Sequence, residues 1–199
     1  MALVLDASAN TIGGLAVGGL PDGIVDTDMI AAGAVTGAKK GAGSILQVVQ
    51  EHRTDTWSET VAQGAKSGAC ITKAITTASS SNKVLVSFHL TLSAGSAIAN
   101  RLGVTLKRGG TEIALSDDTS DNKLRATTST PQTNVNNLFT VGFEYLDSPG
   151  SAASHSYTLH ICTGSSSNKT VYLNRSYTES NDSYRHRGTS YLTLKEVSA

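Results

Sequence analysis

The sequence predicts an all-β protein: an antiparallel jelly-roll sandwich carried behind an extended, glycine-rich N-terminal anchor. Three observations lead there. Serine and threonine number 25 and 24 among 199 residues. Apolar residues recur at every second position in several short stretches, the spacing of a strand with one buried face. Turn-forming residues separate these stretches, and no amphipathic run of helical length lies between them.

Residues 1–43 contain no Phe, Tyr or Trp and nine of the nineteen glycines. Their small and aliphatic side chains are interrupted by glycine pairs at 13/14 and 18/19 and by the turn signal Pro21-Asp22-Gly23. Such a segment has too little bulk to pack a core alone, yet it is more hydrophobic and less charged than a typical disordered tail. Extended backbone is expected, with a helical turn or two started by the N-cap Asp26-Thr27-Asp28 and limited by Gly33 and Gly37. Three copies can approach closely around an axis and bury Val17, Leu20, Ile24, Val25 and Ile30 against one another. At about 1.5–3 kcal/mol per fully buried aliphatic side chain, a few per chain offset part of the ordering cost. These five are the candidate anchor residues, and a homotrimer is the expected assembly. A flexible linker is the plainer reading of the same composition.

The β domain is expected over residues 44–199. Ile45 to His52 and Cys70 to Thr77 begin it. Lys83 to Ser93 is the clearest strand, with Val84, Val86, Phe88, Leu90 and Leu92 on one face and Ser87, His89 and Thr91 on the other. Leu102, Val104 and Leu106 repeat the pattern, and Arg108-Gly109-Gly110-Thr111 supplies a tight hairpin turn into Glu112 to Leu115. Phe139, Val141, Phe143 and Tyr145 form a further stripe ended by Asp147-Ser148-Pro149-Gly150. Tyr157, Leu159 and Ile161 are expected as its hairpin partner, and Val171 to Asn174 and Tyr191 to Val197 complete about eight to ten strands.

Sixteen basic residues balance sixteen acidic ones, which gives no broad electrostatic case for nucleic acid or an anionic membrane. No apolar run is long enough to cross a bilayer, and Met1 to Asp6 lacks the pattern of a signal peptide, so no membrane insertion is expected. Cys70 and Cys162 show no CxxC or Cys/His spacing and read as two buried thiols rather than a disulfide. The histidines at 52, 89, 155, 160 and 186 stand singly, and the odd separation of His155 and His160 sends them to opposite faces of one strand. No GxSxG, P-loop or GxGxxG occurs. No catalytic residue, cofactor or metal is therefore expected. Asp117, Asp118 and Asp121 with Asn122 group enough oxygen ligands for calcium, although they do not match an EF-hand loop and also read as a solvated acidic loop.

The segment Asn174 to Gly188, NRSYTESNDSYRHRG, concentrates Arg175, Arg185 and Arg187 with Tyr177 and Tyr184. These residue types combine planar contact area with hydrogen bonding and are enriched at binding hot spots. The segment is the best candidate for recognition or assembly. A subunit contact, or a loop stacked on its own domain, is the favoured reading over an exposed receptor tip.

Two resemblances follow. SNKVLVSFHLTLS, then RLGVTLKRGGTEIALS, then a long strand ending in LDSP resemble the strand order of the trimeric C1q/TNF-like jelly roll. The opening LVLDASANTIGGLAVGGLPDGIVDTDMIAAGAVTGAKK, the joint SILQVVQEHRTDTW, and FEYLDSPGSAASHSYTLHICTG with VYLNRS and SYLTLKEV resemble virion fibre and structural proteins of tailed bacteriophages, especially phages of aquatic bacteria. The resemblance implies a non-enzymatic virion protein made in the host cytoplasm, a trimeric tail or head fibre with a slender N-terminal anchor and an exposed β knob. Its partners would be further copies of itself, other virion proteins and a host receptor or glycan. A capsid-decorating protein and a receptor- or glycan-binding module are the alternatives. A polysaccharide depolymerase is disfavoured, because such chains are longer and built as β-helices with carboxylate-lined grooves.

Overall fold

The structure, a computed structural model, describes residues 4–6, 11–13, 40–95, 100–117, 123–132, 134, 136–183 and 185–199. Contacts within the chain divide it into two units, Met1–Gly41 and Ala42–Ala199. In the first unit, β1 (Val4–Asp6) and β2 (Thr11–Gly13) pair as an antiparallel ribbon. The anchor candidates Val17, Leu20, Ile24, Val25 and Ile30, and the helical turn expected after Asp26, lie outside the described residues.

The second unit is all-β, two antiparallel sheets face to face. Its strands are β3 (Ile45–Arg53), β4 (Trp57–Val61), β5 (Lys66–Thr76), β6 (Lys83–Ala94), β7 (Asn100–Arg108), β8 (Thr111–Ile113), β9 (Thr128–Gln132), β10 (Phe139–Asp147), β11 (Ser154–Thr163), β12 (Lys169–Leu173) and β13 (Ser190–Val197). One sheet runs β3-β13-β6-β12-β4, with β10 on the other side of β6. The second runs β5-β11-β7-β8, with β9 also paired to β7. The alternation read from the sequence sets which side faces inward. Val84, Val86, Phe88, Leu90 and Leu92 of β6 face Leu102, Val104 and Leu106 of β7 and Tyr157, Leu159 and Ile161 of β11 in one apolar core, each at most 3% exposed. Gly109 and Gly110, at φ of 54° and 88°, make the expected two-residue turn between β7 and β8.

The hairpin expected between Phe139–Tyr145 and Tyr157–Ile161 does not form. Strand β10 pairs with β6, whereas β11 pairs with β5 and β7 in the opposite sheet. Asp147-Ser148-Pro149-Gly150 is a turn, with Gly150 at φ 76°, but the chain crosses there from one sheet to the other. Two strands are additional to those expected. Strand β4 has Trp57, Glu59 and Val61 on alternate positions, and β9, TSTPQ, carries no aliphatic stripe and includes Pro131.

Side chains join the two sheets where their edges meet. Edge strand β5 pairs only with β11, and β3 and β4 reach across to its free side. Gln47 Nε2 donates to the Thr76 carbonyl at 2.6 Å, Lys73 Nζ lies 3.4 Å from Glu51, Arg53 Nη1 donates to the Cys70 carbonyl at 2.5 Å, and the Glu59 carboxylate accepts from the Gly68 N–H at 2.9 Å. Residue numbers rise along one side of this seam as they fall along the other. The side chains thereby occupy backbone groups that a bare edge would offer to another chain.

Two buried carboxylates lie at one end of the sandwich, in one row on either side of Val84. Asp147, at the end of β10, accepts from Arg108 Nη1 at 2.5 Å and from the Tyr157 hydroxyl at 2.6 Å, linking the sheets. Burial first, then the Asp147 carboxylate, push the Tyr157 phenol well above its ordinary value. Glu196, 1% exposed, accepts from Gln47 Nε2, Asn82 Nδ2 and the Ala78 N–H, each at 2.6 Å. Burial alone would raise its pKa, but the three hydrogen bonds outweigh burial and hold it below the ordinary 4.5.

Because the folded-state value of Glu196 is depressed, its stabilisation is complete above the ordinary glutamate range and is lost as pH falls through the lower folded value. Urea unfolding should therefore show Glu196→Gln less stable than the wild type by about 1–3 kcal/mol at pH 7. Below pH 4.5 the gap should narrow. An equal gap at pH 7 and pH 3 would contradict this role for the carboxylate.

Candidate functional site

The Arg/Tyr segment leaves the first sheet at a break in its strand order. Along one side of β6, β13 pairs as far as Tyr191↔His89 and β12 begins at Leu173↔Leu92. The next column breaks at the same level, where β3 ends at Arg53 and β4 starts at Trp57. Asn174 fills this break, fully buried and in the left-handed region at φ 62°. An asparagine tolerates that conformation better than most side chains.

Every polar group of Asn174 is used there. Its N–H donates to the Thr91 carbonyl at 2.8 Å, and its carbonyl accepts from the Gly188 N–H at 3.1 Å. Its Nδ2 donates to the Arg53 and Asp55 carbonyls, both at 2.9 Å, and its Oδ1 accepts from the Ser190 hydroxyl at 2.6 Å. Ser190 Oγ in turn accepts from the Thr91 N–H at 3.0 Å. Gly188 is required at its position, because a Cβ there would lie 2.4 Å from the Thr91 methyl carbon.

From this splice the chain runs out and back between Arg175 and Arg187, which form an isolated antiparallel bridge. Glu179 holds both arginines: Arg175 Nη1 lies 2.9 Å from its carboxylate, and Arg187 Nη2 pairs with its other oxygen. The Arg175 guanidinium also sits over the Tyr172 ring, 4.7 Å from its centroid, and Tyr172 packs against Tyr177 at 5.9 Å. Tyr177 covers Gly95, where a Cβ would come within 3.2 Å of its ring. The Arg185 N–H donates to the Asp182 carbonyl at 3.0 Å, and its Nε donates to Ser180 Oγ at 3.4 Å.

The segment thus brings Arg175, Tyr177 and Arg187 together around Glu179 and Tyr172. Arg185 stands in a separate turn, and Tyr184 lies outside the described residues. A shallow concavity of about 370 Å³ opens between these parts, lined by Glu179, Asp182, Arg185, His186 and Arg187 with neighbouring serine and asparagine side chains. Its mixed charge suits a polar surface and gives no concentrated anion site. Exposed groups remain at Tyr177, 45% exposed, and at the Arg187 side chain, 62% exposed. Glu179 and Tyr172 were not singled out from the sequence. The four-residue spacing of Arg175 and Glu179 was a signal available there, but it is usually read on helices.

The other sequence candidates are dispersed. Asp117 is exposed, Asp118, Asp121 and Asn122 lie outside the described residues, and no group of three or more His, Cys, Asp or Glu able to hold a metal occurs among the described residues. His155 Nε2 lies 3.0 Å from the Ser151 carbonyl, whereas His160 Nδ1 lies 2.8 Å from the Ser67 carbonyl. Cys70 and Cys162 are buried free thiols, and burial pushes Cys70 up to about 12, far from the range of a reactive thiolate. Among the described residues no helix is long and apolar enough to cross a membrane. No protein-family model matches the chain, and no curated protein sequence is significantly similar to it.

Replacing Glu179 with Gln should release both arginines while leaving the splice intact. The group is partly exposed, so global stability should fall by no more than about 1 kcal/mol. Hydrogen exchange should instead quicken at 175–187 and stay unchanged at Thr91 and Asn174. Uniform exchange across both regions would contradict a locally held loop.

Proposed function

We propose that the chain is a non-enzymatic structural protein of a tailed-bacteriophage virion. In this reading it is a homotrimeric tail or head fibre whose N-terminal segment joins the particle and whose β domain forms an exposed jelly-roll knob of the C1q/TNF kind. The observation that carries the fold part is strand order. With β3, β5, β6, β7, β9, β10, β11 and β13 counted as one to eight, the sheets read 1-8-3-6 and 2-7-4-5, the order of an eight-stranded jelly roll. The virion assignment rests on the sequence resemblance.

Self-association has support from the surface. Three of the five large hydrophobic residues exposed among the described residues, Ile45 at 50%, Val48 at 56% and Leu146 at 45%, belong to the first sheet. Register places Val48, Lys195, Leu85 and Leu146 in one row across its outer face. Apolar groups gathered on one face favour burial against another subunit. A capsid-decorating role uses the same fold and the same face. A receptor-binding role gains support from a groove at another part of the domain, taken up below.

Mass photometry of the full chain should give about three times 20.6 kDa. The double variant Val48→Asp, Leu146→Asp should give single chains with an unchanged circular-dichroism spectrum. Cryo-EM of the particle should place the N-terminal segment against it and the β domain outward. A wild-type monomer at micromolar concentration, or a particle without the protein, would overturn the reading.

A further inference from the structure

A groove of about 900 Å³ opens at one end of the second sheet and shares no lining residue with the concavity of the Arg/Tyr segment. Its size falls within the range of small-ligand clefts. The strand register explains why it is there. Cys162 of β11, Gly103 of β7 and Ser129 of β9 are neighbours in one row across the sheet. Gly103 contributes no side chain, and a Cβ there would overlap the Cys162 sulfur at 2.6 Å. The Cys162 sulfur therefore fills the space over Gly103, and the ends of neighbouring strands and loops stand around the row.

The lining mixes polar and apolar groups. Serine, threonine and glutamine residues, Ser129, Ser165, Ser166 and Gln63 among them, share it with Leu124, Ala126 and Cys162. Among the described residues no acidic or aromatic residue lines it, and Lys123 is the one charged residue of that lining. Serine and threonine hydroxyls both donate and accept, as does the glutamine amide. An anion needs concentrated donors and positive charge, and a wholly apolar ligand would leave the hydroxyl and amide groups of this lining unpaired. A ligand rich in hydroxyls matches a surface that offers donors and acceptors together.

We infer that this groove binds a short neutral saccharide of about two or three units, a size set by the cleft. The inference rests on the receptor-binding side of the function proposed above, and it names the ligand class. Recognition then proceeds through side-chain hydroxyls and bridging waters, with affinity limited because no aromatic ring is among the described lining residues.

The test applies the full chain to an array of neutral and acidic oligosaccharides, followed by titration calorimetry with the strongest neutral binder. Ser129 is exposed, so Ser129→Trp fills the groove without entering the core. It should weaken binding at least tenfold with an unchanged melting temperature. Lys123→Ala should change affinity less than threefold. Binding of acidic oligosaccharides alone, a tenfold loss in Lys123→Ala, no neutral binder on the array, or undiminished binding by Ser129→Trp would each overturn the inference. Mass photometry and particle incorporation of Ser129→Trp keep the two proposals apart, because assembly should proceed normally whether or not the groove binds sugar.

Discussion

Strand β6 must pair with three strands at once, and the rest of the β domain is arranged around that requirement. Its twelve residues pair with β10 along one side and with β13 and then β12 along the other. Two strands laid end to end cannot both continue a ladder through their junction. Leu90 and Thr91 therefore face a gap where regular pairing stops. A gap inside a sheet leaves backbone donors and acceptors away from water, which costs about 1–3 kcal/mol for each one unsatisfied. Asn174 and Ser190 fill it with side-chain groups in place of a third strand. The same junction determines where the Arg/Tyr segment leaves the sheet, so the candidate site is a consequence of how the sheet is spliced.

The polar residues in and around the core do complementary work. Gln47, Arg53 and Glu59 occupy the free side of β5, and Asp147 and Glu196 accept hydrogen bonds from partners distant in sequence. Buried charge is not in itself a gain in stability, since desolvation offsets much of the attraction. Its effect here is on choice of register. A strand shifted by one residue would turn these groups away from their partners and the apolar stripe away from the core. The polar contacts and the apolar alternation thus select the same pairing.

How far the sequence revealed this depends on where the information lay. The inward faces of β6, β7 and β11 were readable because alternation over five or more residues is a local property, and the β7–β8 hairpin because Gly109-Gly110 specifies its own turn. Strand β9 was hidden, since TSTPQ has no apolar stripe and its place is set by pairing with β7. The pairing of β10 was misread for a related reason. A Pro-Gly turn marks where the chain bends but not which sheet receives the next strand. In the candidate site, Arg175, Tyr177 and Arg187 stood out by residue type, while Glu179 and Asn174, which hold them in place, are ordinary residues whose importance comes from position. The anchor candidates, all within the N-terminal segment, lie outside the described residues.

The central physical claim is that Asn174 supplies, through its side chain, the hydrogen bonds missing at the break in the sheet. Asn174→Gly tests it most directly, because glycine accepts the φ of 62° freely and so removes the side chain without adding backbone strain. Urea unfolding should show a loss of about 2–4 kcal/mol, as the Arg53 and Asp55 carbonyls and the Ser190 hydroxyl lose their shared partner. A change of less than about 0.5 kcal/mol, the range of an ordinary surface substitution, would contradict the claim.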